Sequence, residues 1–216
     1  MLASFSKFME EGGAIMYVIN AVGIIALAII VERFIFLFFR FNIDGSAFMA
    51  QIQKLVLANN IDRAIKLCNT RPNAALPKVI KAGLTRANKG EVEISNAIEE
   101  ASLEIIPMVT KRTQSLNSIA QLSTYLGLVG TVFGMIEAFA AVANAAPEQK
   151  ASMLAAAISI AMHATAGGLT VAITCQATHL FLTNMTVKIV QEIDQYSVKL
   201  QNLLVSRGKG TTALEG

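Results

Sequence analysis

The chain has 216 residues, of which 54% are hydrophobic and only 15% are charged. Soluble domains carry about 25% charged residues, so this composition is typical of an integral membrane protein. The net charge is +3, and basic residues are interspersed with acidic ones, which argues against a nucleic-acid-binding protein. The two cysteines, Cys68 and Cys175, fit no metal or redox spacing, and the sequence predicts no metal site, no cofactor and no catalytic pair.

The chain begins with apolar residues that recur on one side at helical spacing. Residues 1–13 are predicted to form a periplasmic or interfacial helix on the membrane surface, with a frayed terminus as the alternative. Residues 14–40 are free of charge as far as Val31, which suits a membrane span of about 20 residues. We interpret this segment as transmembrane helix 1 and the adjacent Glu32 and Arg33 as an interfacial anchor.

Residues 41–112 differ from the rest because charged residues recur throughout and apolar residues follow a helical period. Phe48, Ile52 and Val56, for example, mark one apolar helix face. The segment has no strand pattern, no phosphate-binding glycine loop and no cluster of His and Cys. It is predicted to be a helical cytoplasmic domain without enzymatic activity.

Two further apolar stretches follow. Residues 113–145 are predicted to form transmembrane helix 2, residues 146–152 a periplasmic turn, and residues 153–187 transmembrane helix 3, which extends into the cytoplasm. Residues 188–216 are predicted to form a cytoplasmic helix and a flexible tail that begins at Ser206. Most Lys and Arg residues lie between the first two spans and after the third, so the positive-inside rule predicts an external N-terminus and a cytoplasmic C-terminus.

Glycines interrupt the apolar sequence of the second span. Gly127, Gly130 and Gly134 share a narrow helix face with Thr131, because residues three and four apart are neighbours on a helix. A face without side chains lets another helix approach closely. These glycines are therefore predicted to pack helices together, and Glu137 remains as the acid of this span.

The third span is interrupted by small and polar residues on two of its faces. Gly167 and Gly168 are again interpreted as packing residues. A helix that is polar on two faces is not expected to meet lipid with either, so we predict neighbours on both and an oligomer around a polar centre. The first face carries Thr165, Gly168, Ala172, Gln176 and His179, and the second carries His163, Gly167, Thr170 and Thr174.

The depths of the polar residues can be compared. The second and third spans are antiparallel and rise equally per residue, so residues equally far from a turn centred near Glu148 are expected at similar depth. Thr131 is thereby predicted to lie level with Thr165 near mid-membrane. Glu137 is predicted to lie level with Ser159, nearer the outer surface. No carboxylate of this chain is then expected at mid-membrane.

Each polar residue has two interpretations at this point. Thr131 and Thr165 either bond to their own helix backbone or line a polar path. Glu137 is either interfacial and structural or functional. His163, at most about one helical turn above Thr165, either packs as a neutral histidine or takes part in proton transfer.

Two motifs resemble those of a known family. Leu126–Ile136, LGLVGTVFGMI, resembles the L-G-L-x-G-T-V-x-G-M-I signature of the MotA/TolQ/ExbB proton-channel family. Ala164–Leu169 with Val171–Ile173 resembles the A-T-A-x-G-L-x-x-A-I-P motif of that family. The predicted topology is similar as well. The resemblance implies an all-α integral membrane protein with three transmembrane helices, of the ExbB/TolQ-like kind, in a bacterial inner membrane.

The resemblance further implies partners and site residues. Such proteins look like homopentamers around two copies of a single-span subunit similar to ExbD or TolR, whose membrane aspartate binds the proton. Thr131 and Thr165 would line the proton pathway and face that aspartate, with Glu137, Ser159 and His163 at its possible mouth. Proton flow would then drive the partner against the pentamer and perform mechanical work.

The sequence departs from the family pattern at two positions. Ile160 stands where ExbB and TolQ often have an acid, and Thr174 replaces the usual proline. MotA has four spans, so an ExbB/TolQ-like subunit or a gliding-motility relative fits better. The sequence leaves open whether iron-complex uptake, envelope constriction or gliding is driven, and whether the protein is instead a non-conducting membrane scaffold.

Overall fold

The structure is a computed structural model that describes residues 13–37, 43–143 and 145–212. Within these ranges the chain is helical and contains no strand. The surface helix predicted over residues 1–13 lies outside the described residues, except for Gly13. In chain order the helices are α1 (Gly13–Ile35), α2 (Gly45–Leu57), α3 (Ile61–Asn69), α4 (Ala75–Thr85), α5 (Glu91–Thr110), α6 (Thr113–Ala143) and α7 (Pro147–Thr212).

Three helical stretches are long and apolar enough to cross a membrane, namely Gly13–Ile35, Glu91–Ala143 and Pro147–Arg207. The predicted all-α fold with three membrane-spanning helices is confirmed. In the second stretch, α5 and α6 are separated at Lys111 and Arg112. Arg112 has a φ of 61°, in the left-handed region that non-glycine residues seldom adopt, so the backbone changes direction at this residue.

The contacts divide the chain into two compact units. The first, which we term the membrane unit, contains the described residues up to Glu32 together with Arg112–Phe181. The second, the helical unit, contains the described residues of Arg33–Lys111 and those from Leu182 onward. Because α7 is one helix of 66 residues, it contributes to both units.

The helical unit is built around large aliphatic side chains. Met49, Ile52 and Ile80 are completely buried in its core. The C-terminal part of α7 completes this core with Ile193 and Leu200, which are also completely buried. The apolar periodicity of residues 41–112 thus reflects helices that bury one face against each other and against α7.

Local sequence signals set the helix ends in this unit. The Asp44 side chain caps α2 by accepting a hydrogen bond from the Ala47 backbone N–H at 3.1 Å. That bond and a second one from the Ser46 hydroxyl hold the pKa of Asp44 below its usual value. Glu91 and Glu93 lie in the first turn of α5, where negative charge interacts favourably with the helix dipole.

One helix extends further than the sequence predicts. α7 begins at Pro147, so most of the predicted turn at 146–152 is helical. Proline suits the first position of a helix because its missing N–H would have no partner there. At the other end the helix reaches Thr212 instead of giving way to a flexible tail at Ser206, because its preceding turns are anchored in the core of the helical unit. Residues 213–216 lie outside the described residues.

Candidate functional site

α6 and α7 come very close together along the three glycines of α6. A Cβ added at Gly130 would lie 2.6 Å from the Ala164 Cβ, and one at Gly134 would lie 2.7 Å from the Ala161 Cβ. A Cβ at Gly127 would meet α7 backbone atoms, the nearest at 3.3 Å. These glycines therefore allow the two backbones to approach to a distance that larger residues would prevent.

The glycines of α7 contribute to the same crossing. A Cβ at Gly168 would lie 2.6 Å from the Ser123 carbonyl oxygen and 2.9 Å from the Gly127 Cα. Both opposing atoms belong to the backbone, so they cannot move aside as the end of a flexible side chain could. Gly167 is buried as well. The crossing is thus lined by glycine on both helices.

The Thr165 hydroxyl joins the two helices at this crossing. It donates a hydrogen bond to the Gly127 carbonyl oxygen at 2.9 Å, and the residue is half-buried. Interhelical bonds of this kind contribute about 0.6 kcal/mol on average in a membrane protein, with a maximum near ~1.7. Thr165 therefore fixes the register of α7 against α6 in addition to offering a polar oxygen.

Thr131 makes a different contact. Its hydroxyl donates to the Leu128 carbonyl oxygen of its own helix at 2.6 Å. In the described part of the chain, neither this hydroxyl oxygen nor that of Thr165 accepts a hydrogen bond. Both residues thus bond to backbone through their protons and keep oxygen lone pairs available.

The register of α6 and α7 differs slightly from the predicted one. The closest approaches pair Gly130 with Ala164 and Gly134 with Ala161, which centres the helix pair at or within one residue of Pro147 instead of at Glu148. Thr131 and Thr165 therefore lie within about 3 Å of level, which agrees with the expectation to within about half a helical turn.

Glu137 is exposed and lines a cavity of about 220 Å³ where the three apolar helices meet. Gly13 of α1, Phe133 of α6 and both Ile160 and Ala164 of α7 form other parts of its wall. The cavity lies at the first residue of α1, one end of the apolar segment. Glu137 is thus placed at this end of the membrane unit, away from its middle.

Ser159 and His163 lie together on α7. The His163 Nδ1 and the Ser159 carbonyl oxygen are 2.7 Å apart and share a hydrogen bond. Ser159 is exposed and His163 is half-buried. The structure therefore brings these two predicted residues into contact.

The other end of the membrane unit holds contacts that the sequence does not indicate. Arg112 forms an ion pair with Glu32, which joins the start of α6 to α1. The His179 Nδ1 and the Thr113 carbonyl oxygen are 2.9 Å apart, which joins α7 to α6. These contacts tie all three apolar helices together. Their partners are far apart in sequence, so no local motif announces them.

The middle of the membrane unit offers hydrogen-bond acceptors and no acid. Between Thr113 and Val187 the chain has only two carboxylates, those of Glu137 and Glu148. Among the described residues, no group of three or more His, Cys, Asp or Glu could hold a metal ion. The helix crossing therefore offers the hydroxyl oxygens of Thr131 and Thr165 as acceptors and has no carboxyl group of its own.

The chain is similar to two named relatives. An ExbB homologue from Methanothermobacter thermautotrophicus, described as a biopolymer transport protein, is 25% identical over 190 residues. That alignment covers 88% of this chain, and the chain spans 65% of the length of that relative. A biopolymer transport protein of Synechocystis sp., named ExbB-like 3, is 27% identical over 173 residues and is covered over 79% of its length, as is this chain.

The fold is also similar to that of a solved structure, MotAB from C. jejuni. The TM-score is 0.50 at 16% sequence identity, with 86% of this chain and 80% of that chain covered. At this identity the likeness concerns the fold alone. The model of the MotA/TolQ/ExbB proton channel family matches residues 71–195, which is more than half of the chain and includes both motifs and the helix crossing. The chain belongs to the MotA/TolQ/ExbB proton channel family.

Proposed function

We propose that this chain is a subunit of a proton-motive-force-driven inner-membrane motor, of the stator or energiser type. With an ExbD/TolR-like partner it conducts protons and converts the gradient into mechanical work on envelope, transport or gliding machinery. Family membership and the MotAB-like fold support a role of this type. The observation that carries the proposal is the pair of hydroxyl oxygens, on Thr131 and Thr165, beside a glycine-packed helix crossing that lacks a carboxylate.

These hydroxyls suit a proton carrier that belongs to another chain. Both hydroxyl protons are donated to backbone carbonyls, so the crossing offers oxygen lone pairs. A protonated carboxyl group can donate a hydrogen bond to such an oxygen, whereas an ionised carboxylate can only accept. Thr131 and Thr165 therefore favour the protonated form of a partner aspartate and lower the cost of its passage through apolar surroundings.

The assembly that we propose rests on membership of the family. A homopentamer of this chain surrounds two copies of the single-span partner, and the polar faces of the third span support an arrangement with protein neighbours. The distribution of Lys and Arg supports an external N-terminus and a cytoplasmic C-terminus in a bacterial inner membrane. Glu137, Ser159 and His163 form the mouth of the pathway, since Glu137 lines a cavity at the first residue of α1.

Removal of both hydroxyls tests the proposal. In the complex with its partner, reconstituted into liposomes, Thr131→Val with Thr165→Val is expected to lower proton flux roughly ten- to thirtyfold, because two hydrogen bonds of about 1 kcal/mol each are lost. Valine keeps the branched shape, so assembly should survive. Thr186→Val is the matched control, since Thr186 is buried and donates to the Leu182 carbonyl at 2.9 Å, outside the membrane unit. Unchanged flux in an assembled double variant would contradict the role of the hydroxyls.

A non-conducting scaffold is the second candidate. One observation favours it, because backbone bonding alone explains why Thr131 and Thr165 are tolerated in an apolar helix. The two functions differ in their need for energy. A scaffold would continue to support the cellular process after an ionophore collapses the proton gradient, whereas a motor subunit would stop.

A further inference from the structure

His179 lies at the end of the membrane unit opposite to Glu137, and a backbone group holds its ring there. Its Nδ1 and the Thr113 carbonyl oxygen are 2.9 Å apart. A carbonyl oxygen can only accept a hydrogen bond, so Nδ1 carries the hydrogen. The basic nitrogen of the neutral ring is therefore Nε2. The residue is half-buried, so water can reach part of it.

The contact of His179 repeats that of Thr165. Both side chains lie on one face of α7, and both donate to backbone carbonyls of α6, those of Thr113 and Gly127. The two contacts are separated by 14 residues on each helix, so α6 and α7 keep one register between them. At about 1.5 Å per residue, His179 is about 21 Å from Thr165 along α7.

This distance places His179 at the inner boundary of the membrane. The hydrocarbon core of a bilayer is about 30 Å thick, so its edge lies about 15 Å from the middle. With Thr165 near mid-membrane and the C-terminus in the cytoplasm, as the sequence predicts, His179 lies beyond the inner edge, among the lipid headgroups. A proton that has passed Thr131 and Thr165 must cross this layer to reach the cytoplasm.

The inner halves of the spans contain one group that exchanges protons near neutral pH. Residues 113–130 of α6 and 166–187 of α7 contain no Asp, Glu, Lys or Arg, and their only histidine is His179. Residues 14–31 of the first span contain no charged residue and no histidine. Tyrosine and cysteine ordinarily titrate near ~10 and ~8.5, whereas imidazole titrates between about pH 5 and 8. His179 is therefore the proton acceptor that these segments offer.

Charged residues flank the contact between His179 and Thr113 in all three chain segments. They are Glu32 and Arg33 at the end of the first span, Lys111 and Arg112 before Thr113, and Lys188 on α7. Glu32 and Arg112 form an ion pair with each other. Carboxylates ordinarily titrate near ~4, lysines near ~10 and arginines above ~12. A pH dependence between about 5.5 and 8 therefore distinguishes the imidazole from all five of these groups.

We propose that His179 receives protons at the inner end of the pathway and releases them to the cytoplasm. The inference rests on the proposed function and names a further residue of its proton pathway. The proton leaves the partner's carboxyl group, which becomes a carboxylate, and passes through water to Nε2, where it forms the second N–H bond of an imidazolium. That N–H bond then breaks and the proton passes to cytoplasmic water, which restores the neutral ring. The bond from Nδ1 to the Thr113 carbonyl is kept throughout, so the ring stays oriented.

Asparagine separates the roles of the two ring nitrogens. In His179→Asn the amide can still donate to the Thr113 carbonyl, but the side chain cannot exchange a proton. The complex with the partner is placed in liposomes with its C-termini facing the bath. At bath pH 8 the variant should conduct protons about a hundredfold more slowly, the lower end of what a positioned acid–base group contributes. At equal driving force and bath pH 5.5 the ratio of the two fluxes should be roughly tenfold smaller, because the unsubstituted ring is then largely protonated.

His163→Asn is the matched control. His163 is the other histidine of the chain, and its Nδ1 also shares a hydrogen bond with a backbone carbonyl. This variant should keep the dependence of flux on bath pH. Loss of that dependence in His163→Asn instead of His179→Asn would overturn the inference. So would a His179→Asn complex with unchanged flux at every pH, since the bond to Thr113 would then be all that His179 provides.

A second measurement needs no substitution at His179. In the His163→Asn variant, His179 is the one histidine of this chain, so its ¹⁵N-labelled ring can be followed by NMR in a complex with unlabelled partner and a tag free of histidine. The ring should carry its hydrogen on Nδ1 at pH 8 and have two N–H bonds near pH 5.5. A hydrogen on Nε2 at pH 8, or a ring that stays neutral at pH 5.5, would contradict proton uptake at Nε2.

Proton flux separates this inference from the proposed function. Flux that persists with an unchanged pH profile in His179→Asn removes the role of His179 and leaves the motor intact. An assembled, unsubstituted complex that conducts no protons would contradict the proposed function, and the role of His179 with it.

Discussion

The two units of the chain are packed in opposite ways. In the helical unit, large side chains such as Met49, Ile52 and Ile80 are completely buried. In the membrane unit, the closest helix contacts are made by Gly130 and Gly168. Large residues of α6, including Val132, Ile136 and Phe139, are exposed instead.

The difference follows from the solvent around each unit. In water, burial of a large aliphatic side chain stabilises a fold by about 1.5–3 kcal/mol. In lipid, the surroundings of a leucine are as apolar as a protein core, so no such gain is available. Close backbone packing and interhelical hydrogen bonds, such as that of Thr165, must hold the helices together there.

Each unit contains one buried cysteine, so the stability of each unit can be measured separately. Cys68 lies in the helical unit and Cys175 in the membrane unit. Burial raises the pKa of the Cys68 thiol to about 12, so in the folded state this thiol reacts slowly with alkylating reagents. The labelling rate of each thiol therefore reports the opening of its own unit.

The largest expected effect is loss of a buried side chain in the helical unit. Ile80→Ala removes most of a completely buried side chain and is expected to cost about 4 kcal/mol, since its neighbours fill the cavity only in part. Cys68 labelling should then accelerate by roughly three orders of magnitude, whereas Cys175 labelling should stay close to that of the unsubstituted chain. Equal acceleration at both thiols would contradict the separation of the units.

A substitution in the opposite sense, from a small to a larger residue, should destabilise the membrane unit. Gly168→Ala adds a Cβ 2.6 Å from the Ser123 carbonyl oxygen, and overpacking of this kind costs about 3 kcal/mol. Here Cys175 labelling should accelerate while Cys68 labelling does not. Gly90→Ala is the control, because a Cβ at Gly90 would meet nothing within 4 Å. If Gly168→Ala behaved like Gly90→Ala, tight backbone packing would not hold α6 and α7 together.

Much of the difference between the two units can be predicted from the sequence, because the sequence signals for membrane spans and for helix faces are local. Charge-free runs indicate the spans, and the spacing of Gly127, Gly130 and Gly134 marks one face of α6. The partner of each face is not local. The bond from Thr165 to Gly127 depends on the register of α7 against α6, which no local signal in either helix specifies.

The contacts at the far end of the membrane unit were beyond sequence reasoning for a similar reason. Glu32 is adjacent to Arg33, and the sequence predicts that the two form an interfacial anchor, yet the ion pair of Glu32 is with Arg112. Arg112 also has a left-handed backbone, which no residue preference predicts for an arginine. The local sequence pattern thus defines the helices and their packing faces. The positions of the helix ends determine which of these faces pack together.

The smallest expected effect concerns charge in the helical unit, where water rather than lipid surrounds the helix ends. The pKa of Asp44 is lowered in the folded state by the bonds from Ala47 and Ser46. Its stabilising contribution is therefore present above the unfolded pKa, near 3.8, and is lost as the pH falls through the lower folded value.

Asp44→Asn keeps a capping oxygen but cannot titrate, so the variant should lose less stability between pH 5 and about 2.5 than the unsubstituted chain does. Labelling of Cys68 by a dipyridyl disulfide, which reacts with thiols in acid, measures the difference, and Cys175 in the membrane unit serves as the internal reference. Parallel acid profiles for the two proteins would show that the hydrogen bonds to Asp44 do not favour its ionised form.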